Sequence, residues 1–133
     1  MKPFHLEIVT PDGLAFDGEV ESLLIRTDDG DVEILCGHAD FLASIGTGRA
    51  RLLIDGKPRY ASVSGGFVSV SEGMTRVVAI TFEFAEDIDV NRARIAKERA
   101  EVALTRANGE REELVAKAKL SRAISRINVS ELL

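Results

Sequence analysis

The chain has 133 residues, of which 45% are hydrophobic, a formal net charge of −5 and one cysteine, Cys36. This length suits one domain, or one domain with an appendage, and provides enough apolar material for a core. The acidic balance argues against nucleic acid as a main partner. The single cysteine excludes an internal disulfide and suits a reducing compartment. The apolar runs are too short to span a bilayer, and the N-terminus shows no signal-peptide pattern.

Charge and composition divide the chain near Glu86-Asp87. Residues 1–87 carry 7 Lys/Arg and 15 Asp/Glu, whereas residues 88–133 carry 10 and 7. All six Phe and ten of the eleven Gly lie in the first part. The two segments differ in charge and in amino-acid composition, which predicts one domain at residues 1–86 and a second at residues 87–133.

The first segment alternates short apolar runs with turn residues, which is typical of strands. Pro11-Asp12-Gly13 and Asp17-Gly18 are predicted turns, and Asp55-Gly56 is the strongest hairpin signal. Many short strands without an intervening helix indicate an antiparallel sandwich or barrel, and we expect a β-sandwich. The predicted strands are Phe4–Ile8, Val20–Arg26, Val32–Leu35, Phe41–Ile45, Arg49–Ile54, Tyr60–Val63, Phe67–Ser71 and Met74–Phe82.

The last third predicts two antiparallel helices joined by a tight turn at Asn108-Gly109. We expect Asp89 to cap the first helix and Gly109 to end it. The second helix begins near Glu110, and the fold class is therefore α+β, a β-sandwich followed by a two-helix hairpin. The residues placed on one face are Ala93, Ala96, Ala100, Ala103 and Ala107 in the first helix, and Ala116, Leu120, Ala123 and Ile127 in the second. Alanine buries little area, so the hairpin needs another surface to be stable.

Three short motifs suggest chemistry but are better explained as ordinary structure. Cys36 and His38 form too small a ligand set for a metal, and the aspartates at 28, 29 and 31 lack the spacing of a calcium loop. Ser64-Gly65-Gly66 precedes a strand rather than a helix, so we interpret it as a bulge or bend, not a phosphate cradle. The sequence supports no catalytic residues and no metal site.

The basic residues of the hairpin are more informative. One row contains Arg92, Arg99 and Arg106, and a cluster on the second helix contains Lys119, Arg122 and Arg126. Such charges often form a solvated face. The alternative is a helix seam that receives an anion, either a nucleotide phosphate or acidic side chains of another protein.

Four stretches, in order along the chain, resemble the epsilon subunit of a bacterial-type rotary F-type ATP synthase. The family patterns are G-E-x-G-I-L-P-G-H-A, V-S-G-G-F, E-D-I-D-V and R-A-x-x-R-x-x-V. The matching stretches are Gly30–Ala39, Val63–Phe67, Glu86–Val90 and Arg122–Val129. The first stretch departs from its pattern at Asp31, Glu33 and Cys36.

The resemblance implies a ten-stranded β-sandwich at the foot of the central rotor and a non-catalytic subunit that is monomeric when isolated. Its partners would be the gamma subunit, the membrane ring of c subunits and the catalytic alpha and beta subunits. The loop holding Asp31 and His38 would face the ring. The hairpin would be a regulatory switch that permits ATP hydrolysis when folded on the sandwich and inhibits it when extended. The subunit would be peripheral, at the cytoplasmic face of the inner membrane of a proton-translocating complex.

Some members of the family bind ATP between the folded helices through an I/L-D-x-x-R-A motif, which Ile88–Ala93 satisfies. No cofactor is required, and ATP would be a regulatory ligand. The resemblance assigns Glu83 and Asp89 to the adenosine end and Arg92, Arg122 and Arg126 to the phosphates. The full candidate set is Glu83, Ile88, Asp89, Arg92, Ala93, Arg99, Arg122 and Arg126.

Two other hypotheses remain open from the residues alone. The chain could be a stand-alone nucleotide-binding sensor or adaptor with a helical lid and no rotary partner. It could also be a sandwich adaptor whose helices form a permanent coiled-coil dimer.

Overall fold

The computed structural model describes residues 1–133 and contains seven strands followed by a short 3-10 helix and two α-helices. This confirms the predicted α+β arrangement of a β-sandwich and a C-terminal helical hairpin. The strands are β1 Phe4–Thr10, β2 Gly13–Val20, β3 Ser22–Thr27, β4 Gly30–Leu35, β5 Phe41–Ile54, β6 Lys57–Ser71 and β7 Met74–Phe84. The 3-10 helix is Ala85–Asp87, and the α-helices are α1 Val90–Thr105 and α2 Glu110–Ser130.

The strands form one sheet in the order β2-β1-β7-β6-β5-β3-β4. All neighbouring strands are antiparallel except β1 and β7, which are parallel. Alternate side chains of both halves of the sheet meet in one core, whose fully buried members include Leu6, Ile8, Leu23 and Leu52. The sheet has seven strands rather than the ten implied by the resemblance, and it is not wholly antiparallel.

Of the eight strands predicted from the residues, four merge into two long ones, and β2, which was not predicted as a separate strand, brings the total to seven. Phe41–Ile45 and Arg49–Ile54 are both part of β5, and Tyr60–Val63 and Phe67–Ser71 are both part of β6. The glycines between them do not end the strands. Gly66 instead allows β6 to approach β7 closely, because a Cβ at this position would lie 1.8 Å from the Val78 carbonyl oxygen.

The turns predicted in the sandwich are only partly confirmed. Asp17-Gly18 is not a turn, since both residues lie within β2 and pair with β1. Strand β2 instead ends before Glu21 and β3 begins after it, because Val20 pairs with β1 whereas Ser22 pairs with β4 and β5. The Asp55-Gly56 hairpin is confirmed: both residues have positive φ, 51° and 76°, as a two-residue turn between paired strands requires.

The hairpin is folded onto the sandwich through α2, which packs against β5 and β6, while α1 packs mainly against α2. Asp89 caps α1 as predicted, accepting a hydrogen bond from the Arg92 backbone N–H at 3.1 Å. The expectation for Gly109 is wrong, because α1 already ends at Thr105 and Gly109, with φ 91°, directly precedes α2. The Glu112 carboxylate of α2 accepts a hydrogen bond from the Asn108 N–H at 2.8 Å, so the turn belongs to the second helix.

Only part of the alanine face is buried. The buried alanines of the hairpin are Ala93, Ala100, Ala116 and Ala123, whereas Ala96 and Ala107 are half-buried and Ala103 is exposed. The reason is that α1 has a close neighbour on one side only, so a stripe of five alanines is wider than the seam it forms. None of the helices combines the length and hydrophobicity needed to cross a bilayer.

Candidate functional site

A cleft of about 770 Å³ lies between the helical hairpin and strands β6 and β7. Its volume falls in the range of about 300–1,000 Å³ that is usual for sites of small organic ligands. Thr10 at the end of β1 and Asp12 in the following turn contribute to its wall, and Ile80 and Phe82 provide apolar surface from β7. The cleft therefore depends on three parts of the chain being together: the sandwich, α1 and α2.

The two helices line this cleft with cations. Arg92 and Arg99 come from α1, and Lys119, Arg122 and Arg126 come from α2. These spacings of seven residues on α1 and of three and four on α2 keep each set on one side of its helix. The alanines between them leave the space open, because a methyl group does not fill it; those lining the cleft are Ala96, Ala100, Ala103 and Ala123.

Only one of the five cations is neutralised by an ion pair. The Nε atom of Arg126 lies 2.9 Å from the Glu83 carboxylate of β7, and both side chains are partly exposed. Arg92, Arg99, Lys119 and Arg122 make no ion pair. Apart from Glu83, the cleft has one further carboxylate, that of Asp12. An excess of unpaired cations around a cavity of this size favours an anionic ligand with several charges.

The structure brings together five of the eight residues proposed for ATP. Glu83, Arg92, Arg99, Arg122 and Arg126 all line the cleft. The other three lie outside its wall and have structural positions. Asp89 caps α1, Ile88 is half-buried in the linker, and Ala93 is fully buried.

Two charged residues of the cleft, Lys119 and Asp12, are not among the predicted site residues. The sequence places Lys119 only in a basic cluster on the second helix, and it predicts Asp12 to be a turn residue. Lys119 could have been found from its spacing, because it lies three residues before Arg122 on the same helix face. Nothing in the sequence places Asp12 here, since its position depends on how the sheet folds over.

The two proposed ring-contact residues lie at opposite ends of β4 rather than in one loop. Asp31 is near the start of this strand, and His38 follows its end. The stretch from Asp31 to Leu35 alone extends roughly 13 Å at 3.3 Å per residue. The strand predicted at Val32–Leu35 is confirmed and begins earlier, at Gly30, because Gly30–Leu35 pairs along its whole length with β3. Asp31 therefore lies in a strand and not in the loop that the resemblance implies.

Each of these residues is held by a local contact. The Arg26 guanidinium donates a hydrogen bond to Asp31 at 2.6 Å, and this bond lowers the pKa of the Asp31 carboxyl and raises the pKa of Arg26. The Nδ1 atom of His38 lies 2.7 Å from the Ala39 carbonyl oxygen, and its ring meets Phe41 edge-on at 5.7 Å. No group of three or more His, Cys, Asp or Glu side chains is arranged to hold a metal ion.

Polar contacts attach the hairpin to the sandwich. The Ser125 hydroxyl of α2 lies 2.9 Å from both the Ser62 hydroxyl of β6 and the Gly48 carbonyl oxygen of β5. Next to it, Val129 is buried and the Arg126–Glu83 pair forms the edge of the cleft. The contact surface of α2 thus combines one buried pair of hydroxyls, one ion pair and few large apolar side chains.

The comparison with known proteins covers almost the whole chain. The profile of the ATP synthase delta/epsilon chain beta-sandwich domain matches residues 3–85, and that of the long alpha-helix domain of the same chain matches residues 86–131. The ATP synthase epsilon chain of Bacillus velezensis is 38% identical over 130 residues, which is 98% of each chain. That of Alkaliphilus oremlandii is 43% identical over 107 residues, or 80% of each chain.

Solved structures share the fold. A chain in the mitochondrial ATP synthase of Euglena gracilis, a complex of OSCP, F1 and c-ring, superimposes with a TM-score of 0.81 at 21% identity, over 98% of this chain and 82% of that one. A chain of the central stalk and c-ring of the Tetrahymena thermophila enzyme gives a TM-score of 0.67 at 14% identity, over 97% of each chain. At these identities the structural likeness concerns the fold, whereas the curated relatives and the two profiles establish descent. The chain belongs to the family of ATP synthase delta/epsilon chains.

Proposed function

We propose that the chain is a central-stalk subunit of the epsilon type, which couples the gamma subunit to the ring of c subunits and regulates ATP hydrolysis through its hairpin. The observation that carries the proposal is the match of both family domains, in order, to residues 3–131. The role is structural and regulatory, and the catalytic alpha and beta subunits of the complex perform the chemistry. Through these partners the chain would be held at the cytoplasmic face of the membrane.

The regulatory part of the proposal depends on how weakly the hairpin is attached. Ser62, Ser125 and the Arg126–Glu83 pair are polar groups that water can solvate when α2 leaves the sandwich. A typical hydrogen bond contributes about 0.5–1.5 kcal/mol net, and a partly exposed ion pair about 0–1 kcal/mol. A helix held by such contacts can exchange one partner surface for another with a small change in free energy.

We infer that ATP is the ligand of the cleft. A ligand that contacts α1, α2 and β7 together binds only the folded hairpin, so it stabilises that state by mass action, about 2.7 kcal/mol at a concentration of 100 times Kd. Glu83 and the arginines of both helices provide the polar groups, and the apolar wall at Ile80 and Phe82 offers a surface for a base. ATP would thus favour the compact, non-inhibiting conformation.

Calorimetry of the isolated chain with ATP and Mg²⁺ tests the ligand. We expect one site per chain and a higher thermal midpoint with millimolar ATP. Arg126→Ala should lose binding, whereas Arg111→Ala, an exposed residue outside the cleft, should keep it. No heat of binding together with an unchanged melting curve would contradict the nucleotide role.

A disulfide between positions 62 and 125 tests the switch in the assembled enzyme. The two hydroxyl oxygens are 2.9 Å apart, so the substitutions Ser62→Cys and Ser125→Cys, in a Cys36→Ser background, should allow a bond that keeps the hairpin folded. We expect the oxidised enzyme to hydrolyse ATP without inhibition and the reduced enzyme to regain inhibition. The same hydrolysis rate before and after reduction would argue against a mobile hairpin.

Binding to the gamma subunit distinguishes this proposal from a stand-alone nucleotide sensor. A purified gamma subunit should retain the chain whether or not ATP is present, because the sandwich rather than the cleft makes the contact. A chain that binds ATP but is not retained by gamma would be a sensor without a rotary partner.

A further inference from the structure

Helix α2 carries three cations at a spacing that is unfavourable for the helix alone. Lys119 lies three residues before Arg122, and Arg122 lies four residues before Arg126. Like charges at these spacings repel and destabilise a helix by a few tenths of a kcal/mol per pair. Arg126 is paired with Glu83, which leaves Lys119 and Arg122 side by side without a carboxylate.

A comparison with Lys117, a neighbouring lysine on α2, shows that the lack of a carboxylate partner is specific to position 119. Lys117 forms an ion pair with Glu113, one turn earlier on α2, at 2.8 Å. The residues at the equivalent spacings around Lys119 are Val115, Ala116, Arg122 and Ala123, none of which is acidic. Lys117 lies outside the cleft and Lys119 lines it. The unpaired lysine is therefore the one that faces the cavity.

The cations of the cleft form two levels along the hairpin axis. Since the helices are antiparallel, the start of α1 lies beside the end of α2. Arg92 and Arg126 therefore form one level, next to Glu83, and Arg99 and Lys119 form the other. Seven residues separate the levels on each helix, which is about 10 Å at 1.5 Å per residue. Arg122 lies between them, so a chain of linked phosphates can contact both levels while a single phosphate can contact only one.

We infer that Lys119, together with Arg99, binds the far end of the phosphate chain and makes the cleft prefer a nucleoside triphosphate to a monophosphate. The inference rests on the proposed nucleotide site and adds a specificity-determining residue to it. Lys119 contributes through its charge, because it has no competing partner. Its flexible side chain lines the cleft at the level of Arg99, away from Glu83.

The test compares the affinities of ATP, ADP and AMP for the full chain carrying Lys119→Ala or Lys117→Ala. We expect Lys119→Ala to weaken ATP binding about tenfold and AMP binding less than about twofold, and to reduce the dependence of ATP affinity on salt. Lys117→Ala should leave all three affinities unchanged, and Lys119→Arg should retain most of the preference for ATP. Inorganic triphosphate should compete with ATP more weakly against Lys119→Ala than against the unsubstituted chain.

Two outcomes would overturn the inference in distinguishable ways. If the unsubstituted chain binds ATP, and Lys119→Ala weakens the binding of ATP and AMP equally or of neither, Lys119 does not bind the far end of the phosphate chain. If the unsubstituted chain binds no nucleotide at all, the proposed ligand is wrong and the inference fails with it. Circular dichroism of both lysine variants identifies a loss of helix that would lower every affinity together.

Discussion

The hydroxyl of Ser125 on α2 lies 2.9 Å from the hydroxyl of Ser62 on β6, at a contact where both residues are nearly inaccessible to solvent. Ser125 donates its single proton to the Gly48 carbonyl oxygen, also at 2.9 Å, so Ser62 must be the donor to Ser125. Gly48 has no partner on β3, because β5 shifts its register against β3 between Ile45 and Ala50. An irregularity in the sheet thus provides the acceptor that attaches the helix.

Replacing Ser125 by alanine should loosen the hairpin selectively. The substitution removes two hydrogen bonds at a buried contact, and we expect docking of α2 to weaken by about 1–2 kcal/mol. Hydrogen exchange should show faster exchange of the α2 amides with unchanged protection of the β core. Ser121→Ala, at an exposed position one turn earlier, is the matched control and should have little effect. Equal protection of α2 in both variants would show that the serine contact does not hold the helix.

Arg59 should determine how rigid the linker between the two parts is. Its guanidinium lies 3.5 Å from the centre of the Phe84 ring, and its Nε and Nη2 atoms are both 2.6 Å from the same Glu86 carboxylate oxygen, Oε1. It therefore holds the residues on both sides of Ala85, the first residue of the 3-10 helix. Arg59→Ala should destabilise the chain by about 1 kcal/mol in urea and increase amide exchange at residues 86–89.

Lys57→Ala is the control for this linker prediction, because Lys57 is an exposed residue of the same strand with no ion pair. The outcome that would exclude a role for Arg59 is an unchanged exchange rate at residues 86–89. If Arg59→Ala lowers the stability of the sandwich but leaves exchange at residues 86–89 unchanged, Arg59 stabilises the sandwich only and does not hold the linker.

Gly66→Ala should be among the most damaging single substitutions in the sandwich. The added Cβ would meet the Val78 carbonyl oxygen at 1.8 Å, in a residue whose φ is 92°. Backbone atoms of a central strand cannot move aside easily, so we expect a loss of at least about 3 kcal/mol in the free energy of unfolding. Gly73→Ala has a similar φ of 76° but no atom within 4 Å, and should lose only about 1 kcal/mol. Similar losses in the two variants would mean that the backbone angle, not the close approach, governs both sites.

The Arg26–Asp31 pair should give the sandwich an acid-sensitive contribution to stability. Arg26 lowers the pKa of Asp31 in the folded chain, so the unfolded chain binds more protons as pH falls. The contribution is therefore fully present above the ordinary Asp pKa of about 3.9 and is lost as pH falls through the lower folded value. Urea unfolding of the wild-type chain and Asp31→Asn should differ most above pH 5, with the difference shrinking toward pH 2. A difference that stays constant over this range would indicate that Asp31 titrates normally.

The helical hairpin was the part most accessible from the sequence. Its start at Asp89, its second helix at Glu110 and the buried seam at Ala93, Ala116 and Ala123 follow from local capping and from a repeat of three and four residues. The Asp55-Gly56 turn was equally accessible, because it depends on the backbone angles of two adjacent residues. The basic residues of the cleft were recognisable as a row and a cluster, since each set lies on one helix.

The merging of short predicted strands into β5 and β6 could not be predicted from the sequence in the same way. Glycines within β5 and β6 have the same local signal as turn glycines, and only the approach of β7 shows why Gly66 lies inside a strand. Likewise, nothing local assigns Asp12 to the wall of a cleft formed with α1 and α2, which follow it by some 80 residues or more. Contacts between residues far apart in the chain decide these features, and a single sequence does not encode them as a readable pattern.

The amino-acid sequence by itself determined two segments of opposite charge, a strand-rich one and a helical one, and the cations that each helix displays, because periodicity and capping act over a few residues. Tertiary structure alone decided that five of these cations surround one cleft and that Glu83 neutralises only Arg126. It also decided that two buried serines attach the helix to the sheet. The physical reason is that charge balance and burial are properties of surfaces brought together from distant parts of the chain.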